Sequence, residues 1–267
     1  MTNFQSIIIA IIEGLTEFLP ISSTAHMKYA HPLLGITASP FTDMFEVVIQ
    51  LAAVLAVVVL YWKKFFDFKK FNFYTKLIIA VVPALVFGFF FKKYIDAALG
   101  NLVFIACVMI GGGVVLLFID NVFNHPSIDS EEKVTNKTAF IIGCGQVLSI
   151  IFPGLSRSAA TIIAGMSQKL TREEAAEFSF FLAVPTMLAA SAKSFLDTYK
   201  DNPEVLDKSN LVTLGLGSAV AFIVSVLAIK FFIDFLKKHG FRVWGVYRII
   251  VGIIMLLLIW RGVIGNG

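Results

Sequence analysis

Two glutamates, Glu13 and Glu17, follow the apolar run SIIIAII near the start of the chain. Their spacing of four residues places both carboxylates on one face of a helix. Like charges in an apolar setting repel each other and are costly to bury, so a shared divalent cation is the simplest compensation. Mg²⁺ is typically held by one or two carboxylates together with substrate phosphates. We therefore expect Glu13 and Glu17 to bind Mg²⁺ or Ca²⁺; the alternative is that both face water or lipid headgroups.

A second polar group lies in the stretch PGLSRSAAT, where Ser156 and Ser158 flank Arg157 and Thr161 follows one turn later. A helix that begins here presents free backbone N–H groups and a partial positive charge to an anion. The guanidinium of Arg157 matches phosphate oxygens in a bidentate way, and the hydroxyls add donors. The pattern predicts a phosphate site. A salt bridge from Arg157 to one of the two glutamates is the structural alternative, and it too would join the two stretches.

The loop after Glu17 carries Ser22, Ser23, Thr24 and His26. Ser23 and His26 lie three residues apart and could meet on one helical turn, as a nucleophile and its general base do. A Pro-x-Ser-Ser break is also an ordinary helix cap, and a lone histidine is often structural. The spacing alone is a weak signal, which the nearby glutamates and the expected anion site strengthen.

The chain that positions these residues is unusually apolar. Of its 267 residues 58% are hydrophobic and 15% charged, and the mean hydropathy is +0.85. Soluble domains contain about half apolar and a quarter charged residues, and a membrane-spanning helix needs roughly 20 mostly apolar residues. The sequence therefore predicts an all-α polytopic membrane protein with one integral membrane domain, 1–267. Six transmembrane helices are expected, at about 44–62, 75–91, 101–119, 178–196, 211–233 and 243–262.

Two further apolar regions, 4–34 and 138–168, are each broken by a proline and a serine-rich turn. Irregular backbone at membrane depth is tolerated only where protein covers it or a wet cavity adjoins it. We expect two re-entrant helical hairpins whose tips contribute to a site; kinked full spans are the alternative.

The two broken regions also resemble each other. Glu13 lies seven residues before Pro20, and Gln146 lies seven before Pro153. Each hairpin precedes three spans, and because three is odd the second copy must cross the membrane upside down, as in inverted-topology repeats. The predicted repeats are about 1–120 (hairpin 4–34 plus three spans) and about 136–267 (hairpin 138–168 plus three spans).

The lysines and arginines predict the orientation. Thirteen lie in the segments on the side of the 63–76 loop and six on the opposite side, and cytoplasmic loops carry the excess of positive charge. The 63–76 loop is therefore expected in the cytoplasm and both termini outside. A net charge of +4 says little about nucleic acid, and no nucleic-acid partner is expected.

The motifs EGLTEFLPISSTAH and PGLSRSAAT resemble the two signatures of the undecaprenyl-diphosphate phosphatase family, also called the bacitracin-resistance protein family. The likeness extends to chain length, motif separation and the pattern of apolar blocks. One departure is Ala25, where the family more often has glycine. The resemblance implies a phosphatase of the bacterial cytoplasmic membrane that cleaves undecaprenyl diphosphate to undecaprenyl phosphate and inorganic phosphate. Such an activity recycles the lipid carrier of cell-wall synthesis and confers bacitracin resistance.

The resemblance also implies roles for the motif residues. Glu13 and Glu17 would bind the metal and the diphosphate, and Ser23 and His26 would be the catalytic pair in a site that opens to the outer face. Either Ser23 attacks with His26 as general base, or His26 or Glu17 activates a water. The other residues are expected to shape the loop or hold phosphate oxygens: Ser22, Thr24, Ser156, Arg157, Ser158 and Thr161.

Inverted repeats with broken helices also build transporters. A lipid-phosphate transporter or flippase is therefore the alternative function. A scaffold within a cell-wall complex, which would tolerate loss of the glutamates and the arginine, is a third, weaker one. The sequence leaves open whether two copies form a homodimer.

Overall fold

The structure is a computed structural model that describes residues 1–67 and 71–265, without the side chains of Lys92 and Asp96. Lys69 and Lys70 of the predicted cytoplasmic loop lie outside the described residues. The described part is helical apart from turns, loops and one isolated parallel bridge between Ile128 and Leu170. In chain order the α-helices are α1 (Asn3–Thr16), α2 (Ser23–Leu33), α3 (Pro40–Leu60), α4 (Trp62–Phe65), α5 (Phe71–Phe90), α6 (Lys92–Leu99), α7 (Leu102–Val122), α8 (Asn136–Ile151), α9 (Arg157–Ser167), α10 (Arg172–Asp201), α11 (Lys208–His239) and α12 (Arg242–Trp260).

Six of these helices are long and apolar enough to cross a membrane, which confirms the predicted number: α3, α5, α7, α10, α11 and α12. Backbone groups have no water to bond in hydrocarbon, so an apolar run of this length forms its hydrogen bonds internally as a helix. Several helices extend beyond the predicted blocks because polar ends continue the same helix; α10 extends furthest, followed by α11. Asp207 caps the N-terminus of α11, and Lys237 and Lys238 lie in its last turn, where a cation complements the helix dipole.

The two broken regions are pairs of short helices. Residues 17–22, here called the first break, separate α1 from α2, and residues 152–156, the second break, separate α8 from α9. Both breaks end on a serine with positive φ, Ser22 at 71° and Ser156 at 76°, whose side chain accepts a hydrogen bond from the N–H three residues on. The first break is shorter than predicted, because Ser23, Thr24 and His26 lie in α2 rather than in the loop.

The short helices pack among the long ones. α1 lies along α11 and α8 lies along α5, while α3 contacts α10 and α7 contacts α12. Fully buried phenylalanines fill the interior, and Phe18 of the first break meets the ring of Phe180 edge-on at 5.1 Å. These contacts bring both breaks to the inside of the bundle. The re-entry of the hairpins and the inverted repeat stay predictions.

Two of the cations counted in cytoplasmic loops lie elsewhere. Arg248 is fully buried in α12, and Lys76 is buried in α5, where its ammonium group contacts Glu131 at 2.8 Å. Composition alone assigns a charged residue close to the end of an apolar block to a loop. In the structure both cations lie inside the protein, where backbone carbonyls bind Arg248 and Glu131 binds Lys76. When these two are left out, eleven cations remain on the predicted cytoplasmic side, against six on the opposite side.

Candidate active site

A cavity of about 300 Å³ lies between the two breaks. Its lining combines predicted residues from both halves of the chain with residues of α3, α6, α8 and α10, so the fold brings together motifs more than 100 residues apart. The predicted site residues in the lining are Glu17, Ser22, Ser23, Thr24, Ser156 and Arg157. We call this space the site cavity.

Arg157 and Glu17 form the central contact. The guanidinium Nη2 donates to Oε1 of Glu17 at 3.1 Å, and Nη1 donates to the carbonyl of Ser179 at 2.9 Å. The Arg157 and Glu17 side chains are only 9% and 6% exposed. The salt bridge considered as an alternative from the sequence is therefore present, and it joins the two breaks at the cavity wall. Because both charges also line the cavity, the ion pair and an anion site are compatible.

Ser23 contacts the other oxygen of the same carboxylate. Its hydroxyl donates to Oε2 of Glu17 at 2.6 Å, a short charge-assisted hydrogen bond. The sequence predicted a Ser23–His26 pair, and the hydrogen bonds differ from that prediction. Although Ser23 and His26 lie three residues apart on α2, their side chains have different hydrogen-bond partners.

His26 contacts α12 instead. Its Nδ1 lies 2.7 Å from the carbonyl oxygen of Ser22, and its Nε2 lies 2.8 Å from the hydroxyl of Tyr247, with the two rings nearly parallel. A carbonyl oxygen only accepts, so neutral His26 carries its proton on Nδ1 and accepts from Tyr247 at Nε2. His26 is not among the residues that line the site cavity. Sequence reasoning missed Tyr247, which is one aromatic residue in an apolar span.

The hydroxyls of the second motif divide into two groups. Ser156 caps α9 and lines the site cavity. Ser158 and Thr161 are fully buried: Ser158 donates to the carbonyl of Leu19 at 2.8 Å, and Thr161 shares a 2.7 Å hydrogen bond with Ser179. The hydroxyls of Ser158 and Thr161 therefore bond to other parts of the protein. Ser158 connects α9 to the first break, and Thr161 connects α9 to α10.

Glu13 is the other candidate metal ligand. Its side chain is fully buried, and neither carboxylate oxygen has a hydrogen-bond partner among the described residues. The amide of Glu17 bonds to the carbonyl of Glu13 at 2.9 Å, so the helical register continues and both carboxylates share a face. No cluster of three or more His, Cys, Asp or Glu able to hold a metal occurs in the described parts of the chain. Two carboxylates fit a cation whose remaining ligands come from substrate phosphates or water.

The cavity lining also contains polar residues that the motifs did not single out. Gln146 is 1% exposed and its Oε1 lies 3.3 Å from the hydroxyl of Thr186. Gln50 and Ser149 also line the cavity. The sequence did contain a signal for Gln146. It lies seven residues before Pro153, as Glu13 lies seven before Pro20, so it is the polar residue of the second broken region that corresponds to Glu13.

Six membrane-length helices, together with a cavity lined by a buried arginine and a carboxylate, define a polytopic membrane protein with a candidate anion site. A family model described as bacitracin resistance protein BacA matches residues 6–254. A Flavobacterium psychrophilum protein named undecaprenyl-diphosphatase is 52% identical, with 97% of this chain and 96% of that protein covered. Proteins of the same name from Porphyromonas gingivalis and Campylobacter jejuni are 46% and 43% identical, with 98% and 100% of this chain and 99% and 98% of theirs covered.

The chain belongs to the BacA bacitracin-resistance family. The family model extends from α1 into α12, and the Campylobacter jejuni relative covers the whole chain, so both broken regions and all six long helices fall within that likeness.

Proposed function

We propose that this chain is an undecaprenyl-diphosphate phosphatase of the bacterial cytoplasmic membrane. It hydrolyses undecaprenyl diphosphate to undecaprenyl phosphate and inorganic phosphate, which recycles the lipid carrier for cell-wall synthesis and confers bacitracin resistance. The observation that carries the proposal is the Arg157–Glu17–Ser23 constellation, in which a cation and a serine hydroxyl converge on one carboxylate at a cavity wall. The names of the full-length relatives give the same activity.

The substrate explains why charged groups lie in an apolar protein. A diphosphate brings several negative charges into the bundle, and phosphoryl transfer depends mainly on positioning and on stabilising those charges. Arg157 is the cation for this role, because its guanidinium lines the cavity and its Nε has no hydrogen-bond partner among the described residues. The isoprenyl chain can remain among apolar helices while the headgroup enters the cavity.

Ser23 is the proposed nucleophile. Its oxygen attacks the terminal phosphorus, the bond from that phosphorus to the bridging oxygen breaks, and undecaprenyl phosphate leaves. Water then attacks the phosphoserine and inorganic phosphate departs. Glu17 already accepts the Ser23 proton in a hydrogen bond, so its carboxylate is the nearest base. His26 can take this role only after a change of rotamer that releases Tyr247.

Direct displacement by a water that His26 or Glu17 activates is the second route. A trapped phosphoenzyme at Ser23 would support the first route, and full turnover by Ser23→Ala would exclude it. Thr24, Ser22 and Ser156 are proposed to hold phosphate oxygens under either route, because they line the same cavity.

A divalent cation, Mg²⁺ or Ca²⁺, is proposed to complete the site. Glu13 and Glu17 would hold it, since the buried carboxylate of Glu13 has free oxygens on the helix face that Glu17 shares. When bound, such a cation neutralises charge on the phosphates and on the leaving oxygen. Glu13 would help to hold the cation in place, and the positive charge of the cation would compensate the buried carboxylate of Glu13.

The site is proposed to open to the outer face of the membrane. Ile95 and Leu99 of α6 line the cavity, and α6 belongs to the connection between α5 and α7 that the positive-inside rule places outside. We also propose that α1–α2 and α8–α9 are re-entrant hairpins of an inverted repeat. The matching positive-φ serine caps and the α1–α11 and α8–α5 packing support this.

The test is phosphate release from a C55 polyprenyl diphosphate by detergent-purified protein, with and without EDTA. Arg157→Ala should abolish release, whereas Arg261→Ala, which changes an exposed arginine at the end of α12, should not. Detergent micelles have no compartments, so a flippase releases no phosphate in this assay. Metal-dependent release that requires Arg157 supports the phosphatase, and no release with any metal supports transport.

A further inference from the structure

Among the described residues, Arg248 of α12 has the largest side chain that is completely buried. Its guanidinium donates only to backbone carbonyls, and among the described residues no carboxylate forms a salt bridge with it. An arginine in an apolar span is costly and usually marks a function. Neither signature motif contains it, and the mechanism above does not use it.

The carbonyls that Arg248 contacts belong to both breaks. Nη1 donates to Pro20 at 3.0 Å and to Leu155 at 2.6 Å, and Nη2 donates to Gly154 at 2.9 Å. Pro20 lies three residues before Ser23, and Leu155 lies two residues before Arg157. One planar guanidinium therefore fixes the backbone just before the proposed nucleophile and just before the phosphate-binding arginine.

Helix α7 holds the guanidinium from behind. Nε donates to the carbonyl of Met109 at 3.2 Å, and Gly112 provides the space that the side chain needs. A methyl group on Gly112 would strike the guanidinium of Arg248, with Cζ at 3.0 Å, whereas a methyl group on the neighbouring Gly111 would meet nothing within 4 Å. The guanidinium is thus held on three sides, by α7 and by each break.

We infer that Arg248 is a positioning residue that sets the distance between the two halves of the active site. It does not contact the cavity, so it acts through the backbones of Pro20, Gly154 and Leu155 on Ser23 and Arg157. Its planar fork serves several carbonyls at once, which a lysine ammonium on a flexible stem does not reproduce. The inference rests on the proposed phosphatase activity and adds α12 and α7 to the parts that build its site.

The kinetic consequence follows from this placement. Binding of the lipid and of the phosphates uses groups that remain present when Arg248 is changed, so KM should change little. The reaction needs Ser23 and Arg157 aligned on the same phosphorus, and a misplacement of about 1 Å can cost about 100-fold in rate. Loss of the Arg248 contacts should therefore appear in kcat.

The experiment compares Gly112→Ala with Gly111→Ala in detergent-purified, monodisperse protein. Both changes add one methyl group to the same helix, and only the first displaces the guanidinium. We expect Gly112→Ala to lower kcat about 100-fold with KM within about threefold, and Gly111→Ala to behave as the unchanged protein. Arg248→Met should show the same loss, and Arg248→Lys should not restore kcat.

The double variant Arg248→Met/Gly112→Ala tests whether both changes act through the guanidinium. If they do, Gly112→Ala adds less than about a twofold loss in the Arg248→Met background. Additive losses, an unchanged kcat in Gly112→Ala or an equal loss in Gly111→Ala would overturn the inference. Failure of Gly112→Ala to fold would also count against it, by assigning Arg248 to the stability of the whole chain. Absence of release by the unchanged protein would instead contradict the proposed phosphatase.

Discussion

The ion pair between Glu17 and Arg157 permits a test that separates structural from functional roles. Glu17→Gln removes the negative charge and keeps the shape, which leaves Arg157 buried without its counter-ion. The two side chains are 6% and 9% exposed. Removing one partner of a buried pair typically costs about 3–5 kcal/mol. Each kcal/mol lowers the melting temperature of a chain of this size by about 2–4 °C, so a loss of about 3 kcal/mol lowers it by about 6–12 °C.

The double variant Glu17→Gln/Arg157→Met removes both charges. Replacing a whole buried pair by uncharged groups often changes stability little. The double variant should therefore regain most of the melting temperature that Glu17→Gln loses. Turnover should not return, since the phosphate-binding cation and the carboxylate that contacts Ser23 are both gone. We expect Glu17→Gln, Arg157→Met and the double variant each to lower the rate of phosphate release by about 10²–10³-fold or more.

A second buried ion pair provides the matched control. Lys76 and Glu131 lie 2.8 Å apart with side chains 7% and 6% exposed, and they line neither break nor the site cavity. Glu131→Gln should lower the melting temperature by a similar amount while turnover per folded molecule is retained. Thermal unfolding in detergent and phosphate release on the same samples give both quantities. If the double variant regains turnover as well as stability, the hypothesis that Glu17 and Arg157 act in catalysis is refuted.

Three further changes have defined outcomes. Ser23→Ala should lower phosphate release by about 10³-fold or more and abolish any phosphoenzyme detected by mass spectrometry; turnover equal to that of the unchanged protein would favour direct attack by water. Tyr247→Phe removes the donor to Nε2 of His26. Since one hydrogen bond contributes about 1 kcal/mol, turnover should change by about fivefold, and a loss as large as that of Ser23→Ala would give Tyr247 a catalytic role of its own. EDTA should stop phosphate release and added Mg²⁺ or Ca²⁺ should restore it, with Glu13→Gln requiring a higher metal concentration in the titration; release that is indifferent to EDTA would contradict the metal site.

Much of the chemistry was accessible from the motifs, but the pairing of their residues was not. Arginine and serines after Pro153, and glutamates before Pro20, predicted a phosphate site joined across the chain. Glu17, Ser156 and Arg157 line one cavity, and phosphate binding there stays a prediction. The expected Ser23–His26 contact is replaced by Ser23–Glu17 and His26–Tyr247. Spacing places two residues on one turn, but the rotamer and the partner depend on which other helix supplies an acceptor or donor.

The local start of α2 shows the same limit. The sequence PISST suggested a loop that continued to His26, yet Ser22 adopts a φ of 71° and caps the helix, so the chain is already helical at Ser23. A positive φ at a serine is uncommon. The same conformation recurs at Ser156, which caps α9 in the same way.

The membrane class, the number of long helices and the types of residue that could bind a diphosphate were predictable from the order of the amino acids. Lipid satisfies no backbone hydrogen bond, so apolar runs of about 20 residues in a membrane become helices whatever their neighbours are. The position of Arg248, which contacts both breaks from inside the bundle instead of lying in a loop, and the space that Gly112 leaves for it became visible in the folded chain alone. Those contacts join residues far apart in the chain, and they depend on how helices cross, which hydrophobic periodicity does not specify.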